Sequence, residues 1–588
     1  MVQIMAIFSA IAYGAAYLAA SAGFSVAAAT AIRMGAANLA RSFAVSLVLR
    51  ALTPKPSIPK QQIRATINQA TGPRTRLYGQ GLLGGTRAFW EVLGNGLYQI
   101  IVMNHGRLDG LISYWLDGKP VTVVDGFVTD SIYDNNVLID FKNGSAGSEG
   151  GDYALPKETF PTLWTDDHKL LDQATVFTRF LAPGAEKFNR AFPKGANTDV
   201  QIAARGARVY DFRTGTTGYS DNATLCIGDY VSNGDGFRIA RSDMDAGIWS
   251  AHADLSDTEI VRRAGGTRPL YRLWGTYSLT EEPKSVLARM LTTCNATVYQ
   301  TAEGKVGIMG GVYAAPDVTI TADDIFRFVL IDGTEKLDAF NVVKGIYTSA
   351  DHDYQDTEAQ PWEDITALLT EPERSIQFDA DMVPDHGQMR QLMKLELYRQ
   401  NRPFSLSITT NLVGIKARFP RGTSYHVIRV QNPDMDFDEV CEVVSHKTYA
   451  EADGNGVLQW RCQIELVGID PAWNAWDAIT EEGDAPIAPA VLETEGIPVP
   501  VISELAQFAA GAGQGVRVTV ADISRPDLVF AAQIRLAPSG SWSAMVATDF
   551  EAESVGRTIG NTYDVRVKYN GGAYSDPASI EILDPEAP

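Results

Sequence analysis

Glycine and proline interrupt this chain so often that most stretches have room only for a short strand. Its 588 residues include 52 Gly and 28 Pro, whose backbones punctuate regular elements more than they continue them. The pattern is densest over residues 73–123. Strand-like runs at 77–81, 86–92, 97–104 and 110–116 are broken by Gly84-Gly85, Gly94-Asn95-Gly96 and Asp117-Gly118. That spacing predicts an antiparallel meander curled into a small barrel. The expected fold class is mainly β and multidomain, with β-barrel domains and short helices. One core cannot serve a chain this long, and about three to five domains are expected.

The first 52 residues are of another kind. No charge occurs from Val2 to Ile32, and Ala, Gly and Ser dominate. The run exceeds the roughly 20 residues that span a bilayer, although Ala-rich helices insert weakly. It lacks a basic start, and its apolar character resumes past Arg33 and Arg41 to Leu52, unlike a secretory signal. Gly14, Ala15, Ala19, Ala22 and Gly23 suit close helix packing. Two readings stand: a helical hairpin packed with copies of itself, or a segment that enters a membrane. Ile4, Ile7, Phe8, Ile11, Tyr17, Leu18 and Phe24 are the side chains expected to face the lumen or membrane. Pro54, Pro56 and Pro59 make 53–72 a stiff linker, and Pro486, Pro489, Pro498 and Pro500 mark a second at 481–500.

Within the body, 203–231 reads as a joint. Ala207, Val209 and Phe212 mark a half-buried strand, 215–218 a loop, and Ser220 or Asp221 a helix cap. The helix would stack Cys226 on Tyr230 and Ile227 on Val231. A short helix is expected within 163–178, capped by Thr165 or Asp166 and carrying Leu170, Leu171 and Ala174. Residues 242–265 have helical character, with Asp254 or Ser256 as cap. Thr280 can cap a helix that tolerates Pro283 in its first turn and buries Val286, Leu287, Met290 and Leu291. A hairpin over 296–309 follows. Residues 347–373 are acidic and read as a long surface loop. A helix over 388–402 turns Met389, Leu392, Met393, Leu395, Leu397 and Tyr398 to a partner layer, and Pro403 ends it. A strand at 404–411 precedes a long hairpin, 439–449 with 457–467. Depending on its turn, Cys441 pairs with about Leu466 or a residue further off.

Several of these stretches resemble the phage tail-tip hub family, that of the lambda-like tip attachment proteins. The family's "V-Y-D-P-R … W-S-D-N-P-A … D-Y" segment is met by Val209-Tyr210-Asp211-Phe212-Arg213, then Tyr219-Ser220-Asp221-Asn222-Ala223-Thr224, then Asp229-Tyr230. Phe212, Tyr219, Ala223 and Thr224 depart from it. Tyr78, Gly79, Gly84 and Gly85 keep the spacing of the "R-x-x-Y-G-x-x-x-x-G-G" entry, with Arg76 one residue closer and Thr75 in the expected Arg position. Leu116-Asp117-Gly118-Lys119-Pro120 fits the same region. The helix and hairpin after Thr280, the TITAD run at 319–323 and the Phe340-Asn341-x-Val343-x-Gly345 order match further signatures. The end of 501–588, Tyr563 to Tyr569 followed by Tyr574-Ser575-Asp576, resembles the last strands of a fibronectin type III sandwich.

The resemblance implies a structural virion protein, a homotrimeric hub closing the distal end of the tail. Two barrel-like domains per chain would adapt three-fold to six-fold symmetry. It implies host attachment, opening for DNA ejection, and partners among the distal-tail, tail-tip and tape-measure proteins, with the host envelope beyond. Assembly would occur in the bacterial cytoplasm. The expected divisions are 1–52, the linker 53–72, a first barrel with insertion at 73–200, the joint and helix–hairpin domain at 201–350, a second barrel region at 351–480, the linker 481–500 and the sandwich 501–588. Family members that continue into a fibre recognise receptors there; this sequence stops at 588.

No chemistry competes strongly. At 45% hydrophobic and 21% charged the chain is globular material, and a net charge of −21 disfavours specific nucleic-acid binding. It suits a tube through which DNA slides. His-Glu-x-x-His and Gly-x-Ser-x-Gly are absent, and Asn233-Gly234-Asp235-Gly236 lacks a following Lys-Ser/Thr. The four Cys, at 226, 294, 441 and 462, lack metal-ligand spacing and read as reduced and buried. No cofactor and no catalysis are expected. Asp166-Asp167-His168 and Asp351-His352-Asp353 read as solvated loops. Asp379 and Asp381 would share a strand face without a sugar cleft. Trp473 and Trp476 read as junction packing in preference to sugar stacking. The rival functions are a tail-associated cell-wall hydrolase and a membrane-anchored adhesin.

Overall fold

In the computed structural model the described residues are 72–133, 135–183, 188, 191–334, 339–452, 458–487, 498–511, 513–521, 528–548, 550–570 and 572–585. Ile4, Ile7, Phe8, Ile11, Tyr17, Leu18 and Phe24, with the expectations placed on them, lie outside these. Among the described residues no helix is long and apolar enough to cross a membrane. Short strands predominate, as the glycine spacing requires, and the chain divides into two units, Met1–Ala488 and Pro489–Pro588.

The first unit opens with two sheets over one core. A six-stranded sheet runs in the order Thr86–Leu93, Gly96–Asn104, Ala174–Leu181, Val137–Lys142, Phe127–Val128, Val123–Val124. A four-stranded sheet runs Gln80–Leu83, Val200–Arg205, Gly110–Leu116, Lys119–Val121. Alternation sends Ile101, Val176 and Ile139 from one sheet and Leu83, Leu116 and Ile202 from the other into the shared core. The expected consecutive meander therefore stops after its first hairpin. Asn104 ends the strand: its Oδ1 accepts Leu77 N–H at 2.9 Å and its Nδ2 donates to the carbonyls of His105 and Gly106. The chain then crosses to the second sheet.

The 77–81 run is also divided. Gly79, at φ +63°, breaks it, so Thr75–Tyr78 pairs with Gly275–Ser278 while Gln80–Leu83 joins the four-stranded sheet. The helix expected within 163–178 does not form. Leu170 and Asp172 sit at φ +44° and +57°, outside helical backbone, and Ala174 begins a strand. The helix lies earlier, at Ala154–Thr159, where Phe160 and Trp164 pack edge-on and tilted against Phe89.

Four longer helices surround the middle core: α1 (Ala223–Ser232), α2 (Ala246–Ser256), α3 (Pro283–Thr292) and α4 (His386–Gln400). Their caps correct the expectations. Asn222, not Ser220 or Asp221, caps α1, because the Ser220 hydroxyl is engaged by the Asn222 N–H. Asp245 caps α2, while Asp254 and Ser256 fall in its last turn. No side chain caps α3; Thr280 bonds Ser278, and Glu281 takes the Ser278 N–H. The loop expected at 215–218 contributes instead to a strand, Thr216–Tyr219, paired with Arg208–Asp211. In α3, Val286 and Met290 are fully buried and Leu287 and Leu291 partly so, and the expected hairpin follows as Ala296–Gln300 with Val306–Gly310.

Residues 347–373 are not a loop. Gln355–Glu358 and Trp362–Glu363 pair with Val342–Ser349, and Ile365–Leu368 is a short helix. Tyr347, Tyr354 and Ala359 give this acidic stretch buried apolar anchors. A second six-stranded sheet follows in the order Thr319–Thr321, Val427–Asn432, Phe437–Ala452, Leu458–Gly468, Phe404–Thr410, Ile325–Asp332, over Ile320, Ile408, Ile428 and Ile464. A bulge between Val443 and Ser445 shifts the hairpin, so Cys441 faces Gly468. All four Cys are free and buried.

The second unit is a sandwich of two four-stranded sheets. One runs Ile502–Ala510, Gly513–Val520, Glu551–Arg557, Val546–Thr548. The other runs Ser543–Ala544, Phe530–Leu536, Thr562–Tyr569, Ala578–Glu581. Taken in chain order this is the A-B-E-D and C′-C-F-G arrangement of immunoglobulin-like sandwiches. At the corner before the seventh strand, the Tyr563 hydroxyl accepts Thr558 N–H at 3.2 Å.

Candidate functional site

Several of the polar groups that the resemblance singled out converge on α1. At its start the Asn222 Oδ1 accepts Leu225 N–H at 3.2 Å, and its Nδ2 donates to Ala253 O of α2 at 2.9 Å. One residue earlier, Asp221 accepts from the Trp274 indole at 3.0 Å and pairs with Arg272 at 3.0 Å. Trp274 in turn lies against Gly79: a Cβ there would meet Leu273 O at 2.2 Å and Trp274 Cδ1 at 2.3 Å. Only glycine permits that approach, and its positive φ reinforces the requirement.

At the other end of α1, Asp229 is buried and doubly engaged. Arg76 Nη2 reaches its Oδ2 at 2.9 Å, and the Tyr78 hydroxyl donates to the same oxygen at 2.8 Å. Asp235 lies 3.6 Å from Arg76 Nη1 and 3.6 Å from His105 Nε2. Tyr78 stacks on Tyr277 with ring centres 6.0 Å apart. Burial, followed by the Asp229 and Tyr277 charges, holds the Tyr78 phenol well above its ordinary range, against a lowering by Arg76. Burial pulls the Arg76 guanidinium down, but Tyr78 and Asp229 outweigh it and raise it. Burial also lifts the Cys226 thiol far up. The constellation joins a strand of the first block to a buried helix by a permanently ionised arginine.

The remaining motif residues serve local backbone. Gly84 is buried, and a Cβ on Gly85 would meet Val102 O at 2.5 Å. Asp117, at φ +49°, accepts Asp199 N–H at 2.9 Å, and Gly118 follows at φ +78° in open space. The Tyr210 ring lies 4.3 Å beneath the Arg241 guanidinium. Asp211 binds Arg213, which also reaches Asp254 and Asp257; hydrogen bonding to Asp211 comes first among the influences that raise Arg213. Phe340 exchanges two backbone hydrogen bonds with the Asn401 side chain. Asn341 accepts Arg374 N–H at 2.6 Å and donates to Pro372 O at 2.9 Å. A Cβ on Gly345 would meet Met389 Cε at 2.3 Å, so glycine lets α4 settle onto the Val342–Ser349 strand.

Arg76, Tyr78, Gly79, Asp221 and Asn222 are thus brought to one joint, whereas Gly84, Gly85, Asp117 and Gly118 belong to the first block and Phe340, Asn341 and Gly345 to the α4 layer. Sequence reasoning missed Asp235 and the Arg289 network. Arg289 Nη1 pairs with Glu281 at 2.7 Å and its Nη2 with Asp381 at 2.7 Å. That pairing separates Asp381 from Asp379: the strand ends at Asp379, which is exposed and bonded to Gln377. No signal in the sequence marks partners 92 residues apart.

The loop carboxylates are accounted for as well. His168 stacks on Trp164 at 4.7 Å, Asp166 pairs with Lys157, and His352 Nδ1 lies 3.2 Å from Ser349 Oγ. Among the described residues no group of three or more His, Cys, Asp or Glu side chains is placed to hold a metal ion. Trp473 stacks on Tyr398 of α4 at 5.1 Å, and Trp476 lies 6.4 Å from Trp362. Both rings pack against aromatic side chains within the first unit.

No family model matches the sequence, and no curated protein matches it. Among the solved structures similar to it are a virion chain and a prophage tail protein. The virion of a native gene transfer agent particle contains a chain 12% identical, with a TM-score of 0.49, covering 77% of this chain and 98% of that one. The 43 kDa tail protein of prophage MuSo2 from Shewanella oneidensis is 11% identical, with a TM-score of 0.25, covering 69% of this chain and 96% of that one.

Proposed function

We propose that this chain is a structural protein of a phage-type virion, a hub at the distal end of the tail that works by assembly and conformational change and not by turnover. In this reading three copies surround the tail axis. The first unit's two six-stranded sheets supply the paired wall elements, and the second unit is a fibronectin III-type module. The tip is closed until host contact and then passes the tape-measure protein and DNA.

The observation that carries the reading is the Arg76–Tyr78–Asp229 joint. Arg76 and Tyr78, picked out by resemblance to tail hubs, both hydrogen-bond the α1 carboxylate of Asp229 and so tie two elements together, which supports a structural role. A net charge of −21 also suits a conduit for DNA.

The test is made on particles. Antibody raised to the second unit, applied to purified virions, is expected to decorate one tail end, with quantitative gel densitometry giving three copies per particle. A chain missing from purified particles, or spread along the tail, sinks the proposal.

A further inference from the structure

His105 presents both ring nitrogens to oxygen. Its Nδ1 lies 3.3 Å from Gln173 Oε1, and its Nε2 lies 3.6 Å from Asp235 Oδ2. The two acceptors come from different parts of the first unit. Gln173 precedes the Ala174–Leu181 strand of the first sheet, whereas Asp235 lies in the turn that follows α1. Each partner is held in place. Gln173 Nε2 donates to Leu171 O at 3.2 Å, which fixes the end of that amide that faces the imidazole. Turned over, the amide would set its oxygen against the Leu171 carbonyl. The Asp235 N–H donates to Asn233 Oδ1 at 3.2 Å. The ring itself stands on pinned backbone, since the His105 N–H donates to Thr75 O at 2.7 Å and its carbonyl accepts from Asn104.

A neutral imidazole carries one N–H and one lone pair. In either tautomer the lone pair faces an oxygen, Gln173 Oε1 in one and the Asp235 carboxylate in the other. Only the imidazolium, with a proton on each nitrogen, matches both acceptors at once. The charges around the ring divide. Asp235 favours the imidazolium. Arg76 opposes it from the Thr75–Tyr78 strand, but its Nη1 also lies 3.6 Å from Asp235 and its Nη2 is engaged by Asp229. The His105 side chain is 23% exposed and that of Asp235 19%. A proton therefore reaches the ring without unfolding, and salt screens the pair less than it would a surface one. We propose that His105 is an acid-dependent clasp across the joint. As the imidazolium it ties the first block to the turn after α1 through Asp235; as the neutral imidazole it lets one of its two contacts go. Histidine is the side chain that changes charge between about pH 5 and 8, so the joint is tighter in mildly acidic surroundings than in alkaline ones. The inference goes beyond the hub reading and does not depend on it. Arg76 and Tyr78 hold Asp229 throughout, and His105 adds a second tie that a proton turns on.

The test is a double-variant cycle on the full chain, comparing the unaltered protein with His105→Gln, Asp235→Asn and the pair. Urea midpoints of the first unit's transition are read at about pH 5.5 and about pH 8, on either side of the ordinary histidine titration. The other histidines are common to all four chains, so their titration cancels in the coupling. The expected result is a coupling between positions 105 and 235 on the acid side that is lost on the alkaline side. A coupling absent at both pH values, equal at both, or larger at the alkaline one overturns the clasp. Histidine-ring NMR of the full chain gives a second reading that a purely structural contact would not move. The ring signal that disappears in His105→Gln should titrate at lower pH once Asp235→Asn removes the carboxylate. A titration unmoved by that change, or moved upward, overturns the clasp as well, and none of these outcomes bears on the hub reading.

Discussion

The Tyr78 hydroxyl donates to Asp229 Oδ2 at 2.8 Å, across 151 positions of sequence. Arg76, two residues along the same strand, reaches the same oxygen at 2.9 Å. One carboxylate on α1 therefore fixes the strand that leads into the first block.

Removing that carboxylate leaves a buried guanidinium without its main partner. Asp229→Ala is expected to cost about 3–5 kcal/mol, the range for breaking one side of a buried pair. Tyr78→Phe removes one hydrogen bond to a charged acceptor and should cost about 1.5–3 kcal/mol. Because both act on one oxygen, the double variant should fall short of the sum by about 0.5 kcal/mol or more. Urea midpoints of the first unit's transition measure all three. Simple additivity would mean that the bonds are not shared.

Three motif glycines are ranked by what a methyl group would meet. Gly79→Ala meets backbone, Leu273 O at 2.2 Å, and adds strain at φ +63°. Gly345→Ala meets the ends of Met389 and Met393, flexible chains that can give way. Gly118→Ala meets nothing and bears only its positive φ. The expected order of destabilisation is Gly79, then Gly345 at about 1–3 kcal/mol, then Gly118 at about 1 kcal/mol. Thermal melts of the three variants establish the order, and a reversal of the first and last contradicts it.

Acidification should weaken the first unit well above the carboxylate range. His252, fully buried beside Thr224, is pushed down to about 4 by burial. His386 falls to about 4 by burial and then Arg390, and His426 to about 4 by burial and then His446. An unfolded His titrates near about 6.5. Between these values the unfolded chain binds protons that the folded chain excludes, so stability is intact above about pH 6.5 and falls as pH drops towards about 4. His252→Gln should flatten the slope of urea midpoint against pH over that window. A midpoint that rises on acidification would refute the assignment.

What was legible in the sequence follows the range of the interaction. Alternation between glycines placed the Thr86–Leu93 and Gly96–Asn104 hairpin, and apolar spacing placed α3 and α4, because those signals act over a few residues. Caps are hard to place where several Ser, Asp and Asn compete: Asn222 wins over Ser220 and Asp221 because Ser220 is used to position Asn222 itself. The 347–373 stretch reads as a loop because its charge is visible locally, while the strand that pairs with it, Val342–Ser349, and the burial of Tyr347 and Tyr354 are tertiary facts. At the joint, Arg76, Tyr78 and Asn222 were found by resemblance. Asp235 and the Arg289–Asp381 pair had no local signature to find.

The second unit offers a test independent of everything in the first. Tyr563 stands at the start of its strand, and its hydroxyl accepts Thr558 N–H five residues upstream at 3.2 Å. This is the corner that pins the loop between the fifth and sixth principal strands of an immunoglobulin-like sandwich. Burial tends to raise the phenol, yet the Thr558 and Asn561 hydrogen bonds bring it below its ordinary range, which marks the oxygen as an acceptor. Tyr563→Phe keeps the ring in the core and removes only that acceptor, leaving a corner N–H unpaired. The expected cost is about 1 kcal/mol, a fall of about 4–8 °C in Tm for a unit of this size. Calorimetry of the full chain should show the transition of 489–588 moving while that of the first unit stays. Movement of both together would mean that the two units do not unfold separately, and no movement would remove the corner as a stabilising contact.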